Sequence, residues 1–355
     1  MRRTLRGLVA LACLLSTPFP ASAQDGPAPD GHAPAGVMFD HLHEAGEVMV
    51  GYRFSWGRQS GDLLTGTQVT PDHLILHDAC QNERAVGHEH CASRPTAMTM
   101  QMHMLDLMYA PTDRLTLMLM PQWMTMAMTM ETVEDPGAGH DHMDAHAHAG
   151  PHDHSTSGLG DTIFGGLVRL AGDAGTGLHA GVMFSAPTGA VDKLNDGVLT
   201  HYMMQPGSGT WDFVPTLTYT ARMDRWSWGG QAGGVLRMED ENASGYRLGH
   251  IGRVTGWGSY RWTGWMSTSV RVQHASEGAI AGLDHTGAGT SPPDLPTNYG
   301  GRFTDIGVGL NAVVTRGALA GHRLSIEWLK PVRNDVNGFQ LRRTQALAVN
   351  WSKAF

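Results

Sequence analysis

Apolar and polar residues alternate with period two in segments of about ten residues along most of the chain, the pattern of strands tilted through an apolar layer. In the first segment Val48, Val50, Tyr52, Phe54 and Trp56 share one face, and Met49, Gly51, Arg53 and Ser55 share the other. Similar runs follow at about 98–110, 114–130, 159–170, 177–186, 210–221, 226–238, 248–262, 265–274, 302–314, 321–332 and 339–355. That makes twelve strands, an even number, as a closed antiparallel barrel requires.

The connections alternate in length. Short turns fall at 110–113, 171–175, 222–225, 263–264 and 315–321; long loops fall at 57–97, 131–158, 187–209 and 275–301, with shorter ones at 239–247 and 333–338. A soluble sandwich has no reason to keep this asymmetry. The pattern predicts an all-β, antiparallel transmembrane β-barrel of about 12 strands, with short periplasmic turns and longer outer loops. Tyr109, Trp226, Trp228, Trp262 and Trp265 flank short turns, where an interfacial aromatic girdle belongs. The last run carries Leu347, Val349, Trp351 and Phe355 on one parity, and a terminal Phe resembles the C-terminal signature of bacterial outer-membrane proteins. Lys353 breaks that face at a level where a lysine can reach water.

Composition narrows the class. Charged residues make up 16% of the 355, well under the usual quarter, yet no apolar stretch beyond the first twenty residues approaches the ~20 of a membrane helix. Forty-six Gly and 18 Pro occur without a triplet period, which excludes collagen and favours a Gly-rich β protein. The net charge of −8 excludes nucleic acid as a partner, since phosphate binding needs a basic face. Arg2, Arg3 and Arg6, the apolar run Leu8 to Leu15 and the small triplet Ala21-Ser22-Ala23 predict an export signal over 1–23. A periplasmic arm over 24–45 and the barrel over 46–355 follow, with outer-membrane lipid as surroundings; the oligomeric state is not readable. Cys13 leaves with the signal, and Cys80 and Cys91 are expected to form a disulfide in the 57–97 loop, metal ligation by free thiols being the alternative.

Much of the methionine, 21 residues in all, crowds into one hairpin. Met98, Met100, Met102, Met104, Asp106 and Met108 share one face of the second strand, with Leu105, Leu107 and Tyr109 opposite. Thr116, Met118, Met120, Gln122, Met124, Met126, Met128 and Met130 share a face of the third, against Leu115, Leu117, Leu119 and Trp123. Asp106 is costly against lipid and Leu and Trp are not, so the Met faces are expected to line the lumen, with Asp106 and Gln122 as lumenal polar groups. A bulge at Pro121 would flip the outer half of the second ladder. Thioether sulfur is a soft ligand that favours ions such as Cu(I) or Ag(I), and a row of weak sites lets an ion move without being trapped. Flexible packing, or an adaptable wall for a small apolar solute, are the competing roles.

Residues 139–154 carry His140, His142, His146, His148, His152 and His154, with Asp141, Asp144 and Asp153, and no apolar pattern. This is the composition of a metal-collecting tract, and imidazole suits copper, zinc and nickel alike. His88-Glu89-His90-Cys91, with His73 and His77, forms a smaller cluster on the preceding long loop. The arm adds Met38, Asp40, His41 and His43, placed either to plug the lumen or to receive an ion leaving it. No catalytic constellation is present in the sequence: Gly207-Ser208-Gly209 lacks a nucleophile-elbow context and no paired carboxylates stand out, so an enzyme is not expected.

The segments Gly36-Val37-Met38, Asp40-His41-Leu42-His43, Gly46-Glu47, Ala110 to Leu117, Gly158-Leu159-Gly160-Asp161-Thr162, Gly207-Ser208-Gly209-Thr210 and Gly245-Tyr246-Arg247-Leu248 span nearly the whole exported chain. Together they resemble a family of bacterial outer-membrane transporter-like proteins, whose broader group is labelled for the meta-pathway of phenol degradation. The resemblance implies an outer-membrane barrel and hints at passage of aromatic compounds; it carries over no binding residues, and the six-His loop is not part of its pattern. The expectation is therefore a barrel that binds and conducts metal ions, copper first, with zinc or silver as other ligands and no required cofactor. Its Met-lined lumen and His-rich loop would do the work. The alternatives are a channel for small apolar or aromatic solutes and a non-transporting surface metal sponge.

Overall fold

The alternation becomes the wall of a closed barrel. The computed structural model describes residues 28–71, 74–75, 93–132, 152–173, 175–195, 198–284 and 291–355. Its staves are β1 (Val48–Gly66), β2 (Ser93–Thr112), β3 (Leu115–Met120 continued by Gln122–Thr132) and β4 (His152–Leu159 continued by Thr162–Gly172). Then come β5 (Thr176–Ala186), β6 (Asp212–Met223), β7 (Trp226–Arg237), β8 (Ile251–Arg261), β9 (Met266–Glu277) and β10 (Gly301–Val313). The strand Arg323–Ala354 supplies the last two. Its first half pairs antiparallel with β10 and its second half antiparallel with β1, which run in opposite directions, so the chain reverses within it. Gly338, at φ 54°, follows Asn337 at that reversal, the Asn-Gly signature of a tight hairpin. We call the halves β11 and β12; β12 on β1, and β1 on β2, close the cylinder.

Each stave turns its apolar parity outward. Leu105, Tyr109, Leu117, Leu119 and Trp123 are exposed on β2 and β3, while Asp106 and Thr116 on the other parity are buried inside. The same division puts Val270 and Val272 outside with Arg271 inside, and Ile326 and Trp328 outside with Glu327 inside. Trp226, Trp262, Trp265 and Tyr109 stand exposed at the short-turn end.

Three boundaries differ from the sequence reading, each where alternation stops while pairing continues. β1 runs on to Gly66 and β2 begins at Ser93, because Gly57 to Ser60 remain in register with Ala97 to Met100. β4 begins at His152, where the reading had a loop to 158: His152 and His154 pair with Met130 and Met128, so both stand in the wall rather than in a free loop. At Pro121 no residue is inserted. Leu107 faces Leu119 before it and Met104 faces Gln122 after it, the same register, so the second ladder does not flip. Proline removes one ladder donor without shifting parity.

Candidate functional site

The lumen is filled from both ends. The arm enters at the short-turn end, reaches its deepest point near Gly36 to Phe39, and returns to β1 at Glu47, whose amide and carbonyl lie against Glu44 and Ala110. Such an irregular segment pairs few of its own backbone groups, among them Val37 N to Pro34 O at 2.9 Å, so the wall must serve others. Arg53 donates to the carbonyls of Ala35 and Val37, the latter at 3.2 Å, and pairs with Asp106 at 3.5 Å. Gln231 donates to Met38 O at 2.8 Å, and His179 donates to Phe39 O at 2.8 Å. The Gly36 amide donates to Glu327 Oε2 at 2.8 Å, while Arg271 Nε donates to Glu327 Oε1 at 2.7 Å. A Cβ on Gly36 would stand 2.5 Å from Arg271 Nη2 and 2.8 Å from Glu327 Oε2, so any side chain there would have to displace that ion pair. Near the mouth Asp30 is fully buried between Arg222 and Arg261, at 3.6 and 3.7 Å.

The arm's apolar side chains meet the inner rungs of the Met ladders. Phe39 packs with Met104, Met108, Met118, Met120 and Met183, with Met38 and Leu42 at the margin. Its own backbone is left-handed, at φ 60°, which turns the chain at the tip. Asp40 Oδ2 accepts from the Ala33 amide at 2.8 Å, and Oδ1 lies 3.0 Å from His41 Nδ1. Burial drives the His32 imidazole well below its ordinary pKa and lowers that of His43 as well.

From the other end, segments around 198–211, 242–248, 278–284 and 291–300 fold inward. Tyr202 stacks edge-on with Tyr246 at 4.6 Å and with Tyr299 at 5.7 Å. Burial raises all three phenols, that of Tyr246 to about 12, so the cluster stays neutral. His201 Nδ1 lies 2.5 Å from Asp294, tying two of these segments together. Met204 and Leu295 pack on the outer rungs, Met98, Met126, Met128 and Met130.

Between the plugs lies a cavity of about 340 Å³. Met38, Met100, Met124, Met203, Ile163 and Val214 give it an apolar side, and Arg237, Arg253, Arg271, Gln231 and Gln273 a polar one. Met100 and Met124 are on β2 and β3 and the arginines on β7 to β9, so the two characters face each other across the barrel. Arg271 is held by Glu327 and Gln273, and Arg237 by Asp212, while Arg253 is exposed to the enclosed space. A second space of about 180 Å³ lies by Met98, Met128, Tyr299, Phe339 and Arg343.

Residues 129–310, just over half of the chain, match the model of the family described as "Putative MetA-pathway of phenol degradation". The chain belongs to this family. An outer membrane channel from Pseudomonas putida F1 superposes with a TM-score of 0.56 and 16% identity, over 89% of this chain and 98% of its own. Lower similarity is found with the β domain of the Bordetella autotransporter BrkA, with a TM-score of 0.43 and 12% identity over 87% and 100% of the two chains. The P. putida toluene transporter TodX gives 0.38 and 10% over 88% and 91%. At these identities the first likeness shows the fold: an outer-membrane β-barrel. No curated protein matches the sequence.

In this phenol-degradation-family barrel the predicted site residues divide into groups. Met98, Met100, Met102, Met104, Met118, Met120, Met124, Met126, Met128 and Met130 all point inward, and the expected lumenal Asp106 and Gln122 do too. Met98 faces Met128, Met100 faces Met126, Met102 faces Met124 and Met108 faces Met118, so the ladders form rungs of paired thioethers. His41 and His43 lie in the arm inside the lumen, with the His43 amide on Thr116 of the wall at 3.0 Å, whereas His154 stands in the wall and meets His201 edge-on at 5.7 Å. His140, His142, His146, His148, the cluster 88–90 and the pair Cys80 and Cys91 lie outside the described residues, as does the signal over 1–23. The sequence reading missed His32 and the lumenal charges Arg237, Arg253, Arg271 and Glu327. The charges had a signal, since each sits on the inward parity of its strand.

Proposed function

We propose that this protein is an outer-membrane channel for small apolar and aromatic solutes, closed at rest by its arm and outer loops, which holds a solute in the cavity between them. The observation that carries this reading is the lining of that cavity: the arm's tip, Gly36 to Phe39, the inward segment Tyr202 to Ser208, and a wall with a thioether side. Polarisable sulfur meets aromatic rings favourably, at ~0.3–1.5 kcal/mol per contact. An apolar cavity of roughly 150 Å³ already takes benzene, and 340 Å³ leaves room for a substituted ring. The arginine side gives a hydroxyl or carboxylate on that ring a partner. The family description, which refers to phenol degradation, supports the same class of solute.

The test is equilibrium dialysis of p-cresol against the purified barrel in detergent. Val235 lines the cavity. Saturable binding to the native protein is expected, weakened by roughly tenfold or more in Val235→Trp, because the indole occupies a ring-sized volume. Absence of saturable binding in the native protein overturns the reading.

The paired rungs favour a second reading, soft-ion binding along the ladders, because two thioethers facing across a strand pair can share one Cu(I) or Ag(I). Copper is then the cargo and the His-rich loop its collector. With Ag(I) titrated onto the barrel, Met100→Leu/Met102→Leu/Met124→Leu/Met126→Leu should lose bound ion relative to native protein. Equal uptake by both removes the thioethers from any metal function.

A further inference from the structure

We propose that the arm carries a transition-metal site, in which the imidazoles of His32 and His41 and the carboxylate of Asp40 bind a borderline divalent cation such as Zn(II), Co(II) or Cu(II). Among the described residues these three side chains each offer a ligand atom, and the atoms lie within 4.8 Å of one another. The His32 and His41 rings are 3.9 Å apart between centroids, and the His43 ring stands 5.0 Å from that of His41, in place to add a further nitrogen. A second observation points to a ligand. Nε2 of His41 and Nε2 of His43 are buried without any hydrogen-bond partner, and His43 is only 6% exposed. A buried polar atom left unpaired is destabilising, and coordination would give it a partner.

The donor set names the class of ion. Two or three imidazoles with one carboxylate are borderline to hard, as in three-ligand zinc sites that keep an open position, and unlike the thioether rungs they do not select Cu(I). Metal–ligand bonds of about 2.1 Å place tetrahedral ligands roughly 3.4 Å apart, so ligand atoms within 4.8 Å of one another close in by at most about 1.4 Å on binding. Asp40 is already oriented by the Ala33 amide at 2.8 Å, the kind of outer hydrogen bond that fixes a ligating carboxylate.

The position within the arm gives the site a consequence. His32 is on the entering limb and Asp40, His41 and His43 on the returning limb, with the tip Gly36 to Phe39 between them. One ion therefore clips the two limbs together and holds the plug in its docked shape. This proposal stands apart from the solute reading, since every ligand belongs to the arm and none lines the cavity.

The test titrates Co(II) onto the full-length barrel in detergent after EDTA treatment, following the visible d–d absorption. Native protein is compared with His32→Ala/His41→Ala and with Asp40→Asn, which keeps the carboxylate's shape. The double variant is expected to lose one tight equivalent, above whatever the His-rich loop binds in both proteins, and Asp40→Asn to bind that equivalent at least tenfold more weakly. Heat-modifiable migration in gels checks folding; if the double variant misfolds, Asp40→Asn and His32→Gln decide. Unchanged stoichiometry and affinity in the folded variants would overturn the site, leaving the stacked imidazoles as packing within the plug.

Discussion

Glu327→Ala is expected to undock the arm while leaving the barrel folded. Glu327 is 1% exposed and serves two partners, the Arg271 guanidinium and the Gly36 amide at the arm's tip. Removing it leaves the Arg271 cation with only the neutral Gln273 and the Gly36 N–H without its acceptor, a loss of about 3–5 kcal/mol for an ion pair broken on one side. The wall does not have to bear that cost. Its strands keep their ladder hydrogen bonds whether or not the arm is present, and if the tip withdraws, water reaches Arg271 and the amide. The energy is thus taken from docking, and the equilibrium moves to an arm that is out. Chymotrypsin added to the purified variant should cut at Phe39, which in native protein is packed among methionines, with the barrel fragment surviving. Glu327→Gln keeps an acceptor for the amide but not the charge, and should be cut at an intermediate rate. Gly36→Val attacks the same joint from the arm, since its first side-chain atom meets Arg271 at 2.5 Å. An arm as protected in Glu327→Ala as in native protein would show that the clamp contributes nothing to docking.

The barrel was legible in the sequence because a membrane imposes period-two alternation wherever a strand crosses it, and short turns mark one end. Legibility ended where lipid ended. Gly57 to Gly66 and His152 to Ser157 continue the wall above the apolar band, where neither face needs to be hydrophobic and only pairing with β2, β3 or the strand Arg323–Ala354 makes them strands. The direction of the Met ladders was readable from Asp106, whose charge has no place in lipid. What the sulfurs rest against was not, because Phe39 and Leu295 reach them from segments with no periodicity. The arm's histidines could be noticed, but their convergence depends on a reversal at the tip that brings residue 32 beside 41. No local pattern announces that fold; it is set by acceptors and donors on the wall, Arg53, His179, Gln231 and Glu327, each on a different stave.

Removing residues 28–45 is expected to open the lumen only when the outer closure is removed as well. The two plugs lie in series along one axis, with the 340 Å³ cavity between them, so the narrower remaining constriction limits ion flow through either single variant. The outer closure does not lean on the arm: the Tyr202, Tyr246 and Tyr299 cluster and the His201 to Asp294 contact join outer segments to one another, and Met204 and Leu295 rest on the wall. It should therefore persist after arm deletion. Replacing residues 279–299 with a short Gly/Ser turn takes away Ile280 and Leu295 along with Tyr299. In planar bilayers each single change should raise conductance modestly, and the combination should exceed either by roughly tenfold, as expected when a twelve-strand lumen is left without a plug. Charge should follow suit: with the arm gone, Arg53, Arg271 and Arg253 face water and the cavity together against Asp106 and Glu327, and current should become sensitive to salt in the range where lumenal charges are screened. If deletion of the arm alone gave the full conductance of the double variant, the outer segments would be a vestibule and not a closure, and gating would reside in the arm alone.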